Sequence, residues 1–295
     1  MKLEFIATLA NERVRLRFVA MERSLRAKGC LLPIRVIPFD DQTFELPPGS
    51  EWWRDAEFFR WLETNGGNAN AYMRRYLCLA EKNYQFIDTD ACFLRNPAEA
   101  LASESGFVVC CSSWQNPVHT VTEASRLHFR RRSTTWQRLI FNSGQFACDR
   151  AVFTLDELRR TMQRPEIRET FPVSFNDQPG LNLLLLESGV ALTNLTLPPH
   201  CLESSWAGDY PEYPHRYWES REKMPYLIHW AGLPIHRPRA IDAIFLDYYT
   251  PAERGEWLQL LQQSELRARR MNGPFRITAK KLRSALEIFT KGNDS

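Results

Sequence analysis

The start of the chain predicts a strand, a helix and a second strand in direct succession. Leu3–Leu9 and Leu32–Phe39 are apolar runs of strand length, and the second is rich in Ile and Val. Between them a single apolar stripe recurs at helical spacing, at Val14, Phe18, Met21 and Leu25. A strand, a helix and a strand within about 40 residues form a βαβ unit, whose two strands are parallel. The sheet is therefore expected to be parallel in this region.

The alternation of strands and helices continues well beyond this unit. Helices are predicted at Glu51–Leu62, Ala69–Glu81, Leu155–Gln163 and Asp177–Glu187. Further strands are predicted to end at Asp88 and to span Gly106–Cys111, Gln145–Cys148, Val190–Leu197 and Tyr226–His229. The polar, basic stretch Ser112–Arg138 is predicted to be a loop excursion. This alternation indicates an α/β fold, in which ligands bind beyond the carboxyl ends of the strands.

Composition limits the class of protein. A chain of 295 residues that is 44% hydrophobic can form one large domain, or a domain with an appendage. A net charge of +3 is too small to indicate a nucleic-acid partner. The seven cysteines are odd in number and include no CxxC pair, which is typical of reduced, mostly buried thiols in a cytoplasmic protein. The N-terminus does not resemble a signal peptide, and no stretch approaches the ~20 apolar residues of a membrane span.

The stretch FIDTDACFLRNP, residues 86–97, contains two carboxylates directly behind a predicted strand end. Asp88 and Asp90 are one residue apart, and like charges this close repel each other unless a positive charge lies between them. Hard divalent cations take oxygen ligands, so this pair could lie against one ion. A cation shared with a diphosphate would also neutralise a leaving group. The alternative is that both carboxylates only accept backbone N–H bonds in a turn, because turns favour Asp.

Three further motifs follow in order: FNSG at 141–144, NDQPGLN at 176–182 and IHWAG at 228–232. Together with the Asp-Thr-Asp they resemble the nucleotide-sugar glycosyltransferases of the GT-A fold, in particular the retaining group that includes glycogenin and bacterial lipopolysaccharide galactosyltransferases. That group has an Arg-bearing helix, a strand ending in DxD, a strand entered through an Asn-Ala/Ser-Gly turn, an Asp-Gln at a helix start and a late HxxG. The resemblance covers about residues 3–238. It implies a Rossmann-like, mostly parallel sheet flanked by helices, with a catalytic domain at 1–240.

The resemblance also implies roles for individual residues. Asp88, Asp90 and His229 would bind Mn²⁺ or Mg²⁺ on the donor diphosphate, and Asp177 and Gln178 would act near the anomeric carbon. The implied donor-binding residues are Ala7, Thr8, Arg74, Arg75, Thr89, Asn142, Ser143, Gly144, Gly232 and Arg237. Among these, Ala7 and Thr8, at the end of the first strand, would border the base, and either Arg74 or Arg75 would meet the sugar or a phosphate.

Each of these residue types also has a purely structural interpretation. His229 could be a core histidine beside Trp230, and an Arg on a helix usually lies on a solvated face. Asp177 could serve only as a helix N-cap. The Asn-Ser-Gly sequence could be a simple turn.

The chain departs from the resembled group at one position. The group usually carries Lys-Pro-Trp shortly after HxxG, with the Lys on the diphosphate. Here the sequence is LPIHRP, and the apolar Ile235 stands at the expected Lys position. Arg237, just before Pro238, is the candidate substitute.

The resemblance predicts a metal-dependent, retaining transferase that moves a sugar from a nucleoside-diphosphate sugar, with UDP as the expected nucleotide, to a glycan, glycolipid or protein hydroxyl. A haloacid-dehalogenase-type phosphatase also has DxD after an apolar strand. It would have Thr or Val where Cys92 stands, and it requires a later acidic pair that is not evident. A non-catalytic carbohydrate- or nucleotide-binding protein is the other alternative.

Residues 241–295 are predicted to be a C-terminal helical region with a basic, amphipathic end. An apolar face recurs within residues 275–289, at Phe275, Ala279, Leu282, Leu286 and Phe289, with Lys and Arg at the other positions. Such a helix could lie on an anionic membrane surface, which would make the protein peripheral on the inner membrane face. The alternative is a helix that packs on the catalytic domain or on a partner subunit.

Overall fold

A computed structural model of the protein describes residues 1–67, 70–169, 177–210, 222–233 and 239–271. The chain divides into two units. The first contains Met1–Ala231 and Ala240–Tyr248, and the second contains Gly232–Arg239 and Tyr249–Ser295.

The first unit is built on a central sheet and a small second sheet. In chain order the strands are β1 (Phe5–Ala10), β2 (Ile34–Pro38), β3 (Ser50–Trp52), β4 (Tyr84–Ile87), β5 (Ala91–Phe93), β6 (Phe107–Val109), β7 (Gln145–Cys148), β8 (Leu192–Asn194) and β9 (Leu227–His229). Seven of them form one sheet in the order β3-β2-β1-β4-β7-β6-β8, and β5 pairs with β9. Within the large sheet only β7 runs antiparallel to its neighbours β4 and β6. The predicted mostly parallel α/β sheet is confirmed.

Helices flank this sheet. In chain order they are α1 (Arg15–Ala27), α2 (Ala56–Asn65), α3 (Asn70–Met73), α4 (Pro97–Ala100), α5 (Glu123–Arg132), α6 (Leu155–Met162), α7 (Pro165–Arg168), α8 (Gln178–Ser188) and α9 (Asp242–Leu246). The second unit contributes α10 (Pro251–Met271).

The hydrophobic core lies on both faces of the large sheet. In β1, Phe5, Ala7 and Leu9 point into one apolar cluster, whereas Ile6 and Ala10 point into the other. Successive side chains of a strand alternate between faces, so a strand that is covered on both sides must be apolar throughout. This explains why the first strand appears in the sequence as a continuous apolar run.

Three local predictions were wrong. The helix predicted at Glu51–Leu62 begins only at Ala56, because Ser50–Trp52 pairs with β2 as the edge strand β3. The stretch predicted as a loop, Ser112–Arg138, contains α5, whose first turn is closed by a capping box between Thr122 and Ser125. Phe129 of this helix is buried and packs near Trp136, with ring centroids 6.4 Å apart. The helix predicted at Ala69–Glu81 is α-helical only in α3 and continues as a 3-10 helix over Arg74–Ala80.

Two further sequence predictions concern the cysteines and the C-terminal region. All seven cysteines are free, and all but Cys201 are buried, as predicted for the majority. Within the described part of the chain, no helix is long and apolar enough to cross a membrane. The amphipathic stretch 275–289 lies outside the described residues, so its predicted membrane contact stays a prediction.

Candidate active site

Asp88 and Asp90 lie in the turn that connects the large sheet to the small one. Asp88 follows the last residue of β4, and Asp90 precedes the first residue of β5. β5 pairs antiparallel with β9 so that Ala91 lies opposite His229. The Trp230 N–H donates to the Asp90 carbonyl at 2.8 Å, which fixes this register at the strand end. Strand pairing therefore brings His229 to the two aspartates from a distant part of the sequence.

The three side chains form a compact group of potential metal ligands. Nε2 of His229 lies 3.2 Å from Asp90 Oδ1 and 3.8 Å from Asp88 Oδ2. One potential ligand atom from each residue falls within 4.8 Å of the others. The imidazole is nearly inaccessible, at 4% side-chain exposure, whereas the carboxylates of Asp88 and Asp90 are 25% and 20% exposed. The group can therefore be reached from solvent on the carboxylate side.

Gly144 lies directly against this group. A Cβ at Gly144 would lie 2.5 Å from Asp88 Oδ2 and closer still to the ring of His229. The backbone reinforces the contact, because the Asp88 N–H donates to the Gly144 carbonyl at 2.7 Å. Asn142 Oδ1 accepts from the Gly144 N–H at 2.8 Å, as in an Asx turn. The Asn-Ser-Gly motif is thus a turn, but one whose glycine is required by the approach of the metal-ligand candidates.

Arg75 supplies a buried positive charge on the Asp88 side. Its Nη1 lies 3.1 Å from Asp88 Oδ1, and its Nε lies 3.3 Å from Asp177 Oδ2. Nη1 also donates to the Ser143 carbonyl at 2.9 Å. The guanidinium carbon lies 5.0 Å from the ring centroid of Phe86, and only 3% of the residue is exposed. Arg75 therefore links three of the sequence motifs.

Arg74 lies elsewhere. It donates to the Pro38 carbonyl at 2.8 Å, lies 3.5 Å from Glu63 and stacks on the ring of Phe59 at 4.6 Å. The sequence left open which of the two neighbouring arginines belongs to the site. The structure places Arg75 in contact with Asp88 and Arg74 at the carboxyl end of β2.

Asp177 and Gln178 begin α8 and face the Asn-Ser-Gly turn. Asp177 occupies the N-cap position, but its side chain makes no capping hydrogen bond. Its Oδ1 instead accepts from Ser143 Oγ at 3.3 Å. Gln178 Oε1 accepts from the Ser143 N–H at 3.2 Å. The interpretation of Asp177 as a simple helix cap is therefore wrong, because its carboxylate contacts Arg75 and Ser143 instead.

The electrostatics of the group explain how two neighbouring carboxylates coexist. Burial raises the pKa of Asp88, and Arg75 opposes this effect without cancelling it. Burial disfavours the charged form of Asp90 too, but the charge and hydrogen bond of His229, with a contribution from Arg17, hold the pKa of Asp90 below its usual range. Burial disfavours the imidazolium of His229, yet Asp90 and then Asp88 outweigh that effect and raise the pKa of His229. Arg75 on the Asp88 side, and His229 with Arg17 on the Asp90 side, thus offset the repulsion between the two carboxylates.

The remaining predicted donor-binding residues are distributed more widely. Thr89 is buried between the two aspartates, at 5% exposure. Ala7 and Thr8 are fully buried inside β1, which continues to Ala10, so neither is at the end of the strand as predicted. Gly232 belongs to the second unit and has a φ of +67°, a conformation that favours glycine. Arg237 lies outside the described residues.

The sequence missed one charged neighbour of the site. Arg17, in the first turn of α1, has its Nη1 3.7 Å from Asp90 Oδ2. In the sequence this residue lies between positions of the apolar helical stripe and appears as an ordinary solvated Arg. The only available signal was its place in the helix after the first strand, at the edge of the sheet where ligands bind.

Comparison with known proteins identifies the fold. No protein-family model and no curated protein sequence matches the chain. Among solved structures, the bifunctional glycosyltransferase WbbM aligns with a TM-score of 0.57 and 12% identity over 88% of this chain. The galactosyltransferase LgtC, solved with donor and acceptor sugar analogs, aligns with a TM-score of 0.52 and 15% identity over 85%. The glycosyltransferase GlyE of Streptococcus pneumoniae aligns with a TM-score of 0.50 and 12% identity over 91%.

The matched lengths differ among these proteins. The chain spans about half of the WbbM chain, at 51%, and 64% of GlyE, but 99% of LgtC. The predicted GT-A fold, shared with glycosyltransferases that include a galactosyltransferase, is confirmed.

Proposed function

We propose that the protein is a glycosyltransferase that moves a sugar from a nucleoside-diphosphate sugar, with UDP as the nucleotide, to an acceptor hydroxyl of a glycan, glycolipid or protein. The observation that carries the proposal is the convergence of Asp88, Asp90 and His229 beyond the carboxyl end of β4, on a fold shared with glycosyltransferases. In α/β sheets this edge is where ligands bind.

The donor set fits a divalent cation. Two carboxylate oxygens and one imidazole nitrogen can turn toward a common point, and Gly144 leaves room where any other residue would place a Cβ. Carboxylates suit Mg²⁺ and Mn²⁺, whereas imidazole is chiefly a ligand of transition metals, so we propose Mn²⁺ in preference to Mg²⁺. A bound ion would supply positive charge for the departing diphosphate.

The surrounding residues hold this group in place. Arg75 fixes Asp88 through its ion pair, and Asp177 fixes Arg75 from the other side. Because Arg75 is buried and bonded to Ser143 as well, it keeps the Asp-Thr-Asp turn, the Asn-Ser-Gly turn and the start of α8 at fixed distances. Such rigid support keeps catalytic groups in their productive geometry. We propose that Asn142, Ser143 and Gln178 line the bound donor sugar next to these supporting contacts.

The same contacts favour retention of anomeric configuration. Inversion requires a general base aimed at the acceptor hydroxyl. Among the described residues, each carboxylate of the site already contacts an arginine: Asp88 and Asp177 contact Arg75, and Asp90 contacts Arg17. In a retaining reaction the acceptor attacks on the face from which the diphosphate departs. The leaving phosphate oxygen then takes the acceptor proton, so no protein base is needed.

Donor screening tests the proposal. The protein is heated with Mn²⁺ and each of a set of nucleoside-diphosphate sugars, and a donor that raises the Tm is then incubated with candidate acceptors for mass spectrometry of the product. A glycosylated product, or hydrolysis of the donor to nucleoside diphosphate, supports the proposal. Asp156→Asn is the matched control for the site variants, because the Asp156 side chain is 83% exposed on α6.

Two other outcomes would identify the alternatives. Release of phosphate from a generic phosphate monoester, with no donor turnover, would indicate a phosphatase. Donor binding with no turnover in the presence of Mn²⁺ would indicate a binding protein that has kept the fold.

A further inference from the structure

Arg17 differs from the other cation of the site in its exposure and in its bonding. Arg75 is buried and bonded on several sides, whereas the Arg17 side chain is 31% exposed. Its Nη1 lies 3.7 Å from Asp90 Oδ2, which is an ion pair without a hydrogen bond. Its neighbours Leu16 and Phe18 are buried and anchor the helical turn that carries it. Arg17 is thus a positioned guanidinium, and because none of the described residues accepts a hydrogen bond from it, its N–H donors can meet a ligand.

The charges of the metal-bound site show what ligand that would be. Asp88, Asp90 and Asp177 carry three negative charges, and His229 is neutral when it binds a metal ion. Arg75 and one divalent cation balance those three charges. The guanidinium of Arg17 is then a surplus positive charge beside Asp90, on the solvent-accessible side of the group. A surplus charge at this position favours an anionic ligand, and guanidinium groups match phosphate oxygens in geometry.

The sequence provides an independent reason to expect a cation here. The resembled glycosyltransferases place a Lys on the donor diphosphate after their HxxG motif, and this chain has Ile235 at that position. Arg237, the substitute named from the sequence, lies outside the described residues, whereas Arg17 is a described cation beside the site.

We infer that Arg17 is a donor-binding residue that contacts the phosphate oxygens of the nucleoside diphosphate from the Asp90 side of the site. This inference rests on the proposed function, since it requires a nucleoside-diphosphate donor. The alternative is that Arg17 only steadies the Asp90 carboxylate, which would make it part of the metal site and not of the donor site.

Binding measurements on the full chain separate the two roles. Isothermal titration is carried out with Mn²⁺ alone, with UDP at saturating Mn²⁺, and with uridine at saturating Mn²⁺, for wild type, Arg17→Ala, Arg17→Gln and Arg17→Lys. Arg13→Ala is the control, because Arg13 is an exposed cation next to α1. Thermal unfolding of each variant checks that it is folded, and Arg17→Gln preserves most of the side-chain volume if the Ala variant is unstable.

A phosphate-binding role predicts a specific pattern. Arg17→Ala and Arg17→Gln should weaken UDP binding by about tenfold or more, the effect of losing charge-assisted hydrogen bonds. Arg17→Lys should lose less affinity for UDP than the other two variants. Uridine binding should be unchanged in all variants. In Arg17→Ala and Arg17→Gln the affinity for Mn²⁺ alone should equal or exceed that of wild type, because a cation that repels the ion has been removed. Arg13→Ala should match wild type in all three titrations.

Three results would overturn the inference. UDP affinity within twofold of wild type in Arg17→Gln would show that Arg17 does not bind the diphosphate. A loss of Mn²⁺ affinity that accounts for the whole loss of UDP affinity would assign Arg17 to the metal site. A wild-type chain that binds Mn²⁺ but no nucleoside diphosphate would overturn the proposed function as well, and is thereby distinguished from the first two results.

Discussion

His229 Nε2 lies 3.2 Å from Asp90 Oδ1, although 139 residues separate the two in sequence. The contact depends on the pairing of β5 with β9, and the backbone N–H of His229 also donates to the Ser205 carbonyl at 2.7 Å. These backbone bonds fix the strand position of His229, from which its side chain reaches the two carboxylates. This relationship is the reason to treat the three residues as one candidate metal site.

The metal site can be tested by neutralising a single carboxylate. Asp88→Asn or Asp90→Asn should abolish transfer, because a neutral amide is a poorer ligand and leaves the diphosphate charge uncompensated. Transfer is measured with the donor found by screening, before and after EDTA, and then with Mn²⁺ added back. Mn²⁺ should restore wild type but not the variants, and Asp156→Asn should behave as wild type. Full activity in a chelated, metal-free sample would contradict the metal claim.

Gly144→Ala should disable the site by steric contact alone. The added methyl group would overlap the ring of His229 and the carboxylate of Asp88, so these candidate metal ligands must separate. We expect the variant to lose Mn²⁺ binding in isothermal titration and to unfold at a lower temperature. Gly255→Ala is the control, because a Cβ at Gly255 in α10 meets open space and Ala is the better helix former by up to ~1 kcal/mol. Unchanged Mn²⁺ binding in Gly144→Ala would show that the glycine is not needed for ligand approach.

Arg75→Met should destabilise the fold strongly. It leaves Asp88 and Asp177 facing each other without their buried cation, a change that typically costs about 3–5 kcal/mol in the free energy of unfolding. Arg74→Met should cost less, about 1–2 kcal/mol, because it removes a hydrogen bond to the Pro38 carbonyl and an ion pair to Glu63, whose side chain is 58% exposed. Urea denaturation of both variants measures the difference. Equal losses would mean that the buried network has no special role.

The loss in Arg75→Met should also depend on pH. Burial raises the pKa of Asp88, and removing Arg75 takes away the largest charge that opposes that shift. A carboxyl group whose folded-state pKa exceeds its unfolded value is stabilising at low pH and loses that contribution as the pH rises. The difference in unfolding free energy from wild type should therefore be smaller at pH 5 than at pH 8. A difference that does not vary with pH would argue against a buried, unpaired carboxylate.

The stereochemical proposal has a direct readout. With an α-linked donor, NMR of the new glycosidic bond should show an α linkage, since every described carboxylate of the site contacts an arginine. Gln178→Ala should lower turnover more than donor affinity, because its side chain faces the Ser143 turn beside the proposed sugar position. A β-linked product would refute retention.

Membrane contact through residues 275–289 stays a prediction from the sequence. The full chain should sediment with anionic liposomes at low salt, with basic residues near the surface adding roughly 1 kcal/mol each. A chain that ends at Asn272 should stay in the supernatant, and added salt should release the full chain. If both chains bind equally poorly at low salt, the apolar stripe is a packing face.

The α/β fold and the order of the motifs could be predicted from local sequence patterns. Continuous apolar runs mark strands buried on both faces, as in β1, and the helical stripe of α1 follows from local spacing alone. Local sequence patterns did not predict secondary structure correctly where tertiary contacts stabilise a segment. The charged segment Glu123–Arg132 is a helix because Thr122 caps it and Phe129 is buried, and its polar sequence gave no amphipathic signal of this.

Which residues of the motifs contact one another depends on tertiary packing. Arg74 and Arg75 are equivalent as a sequence pair, yet the 3-10 geometry at this point directs one to Asp88 and the other to Pro38. Arg17 carries no motif, and it reaches Asp90 only because α1 packs beside β5. The requirement for glycine at position 144 likewise arises from His229 and Asp88, which approach it from other strands. Sequence spacing sets local geometry, whereas distances across a sheet depend on strand register and helix packing, which no single segment encodes.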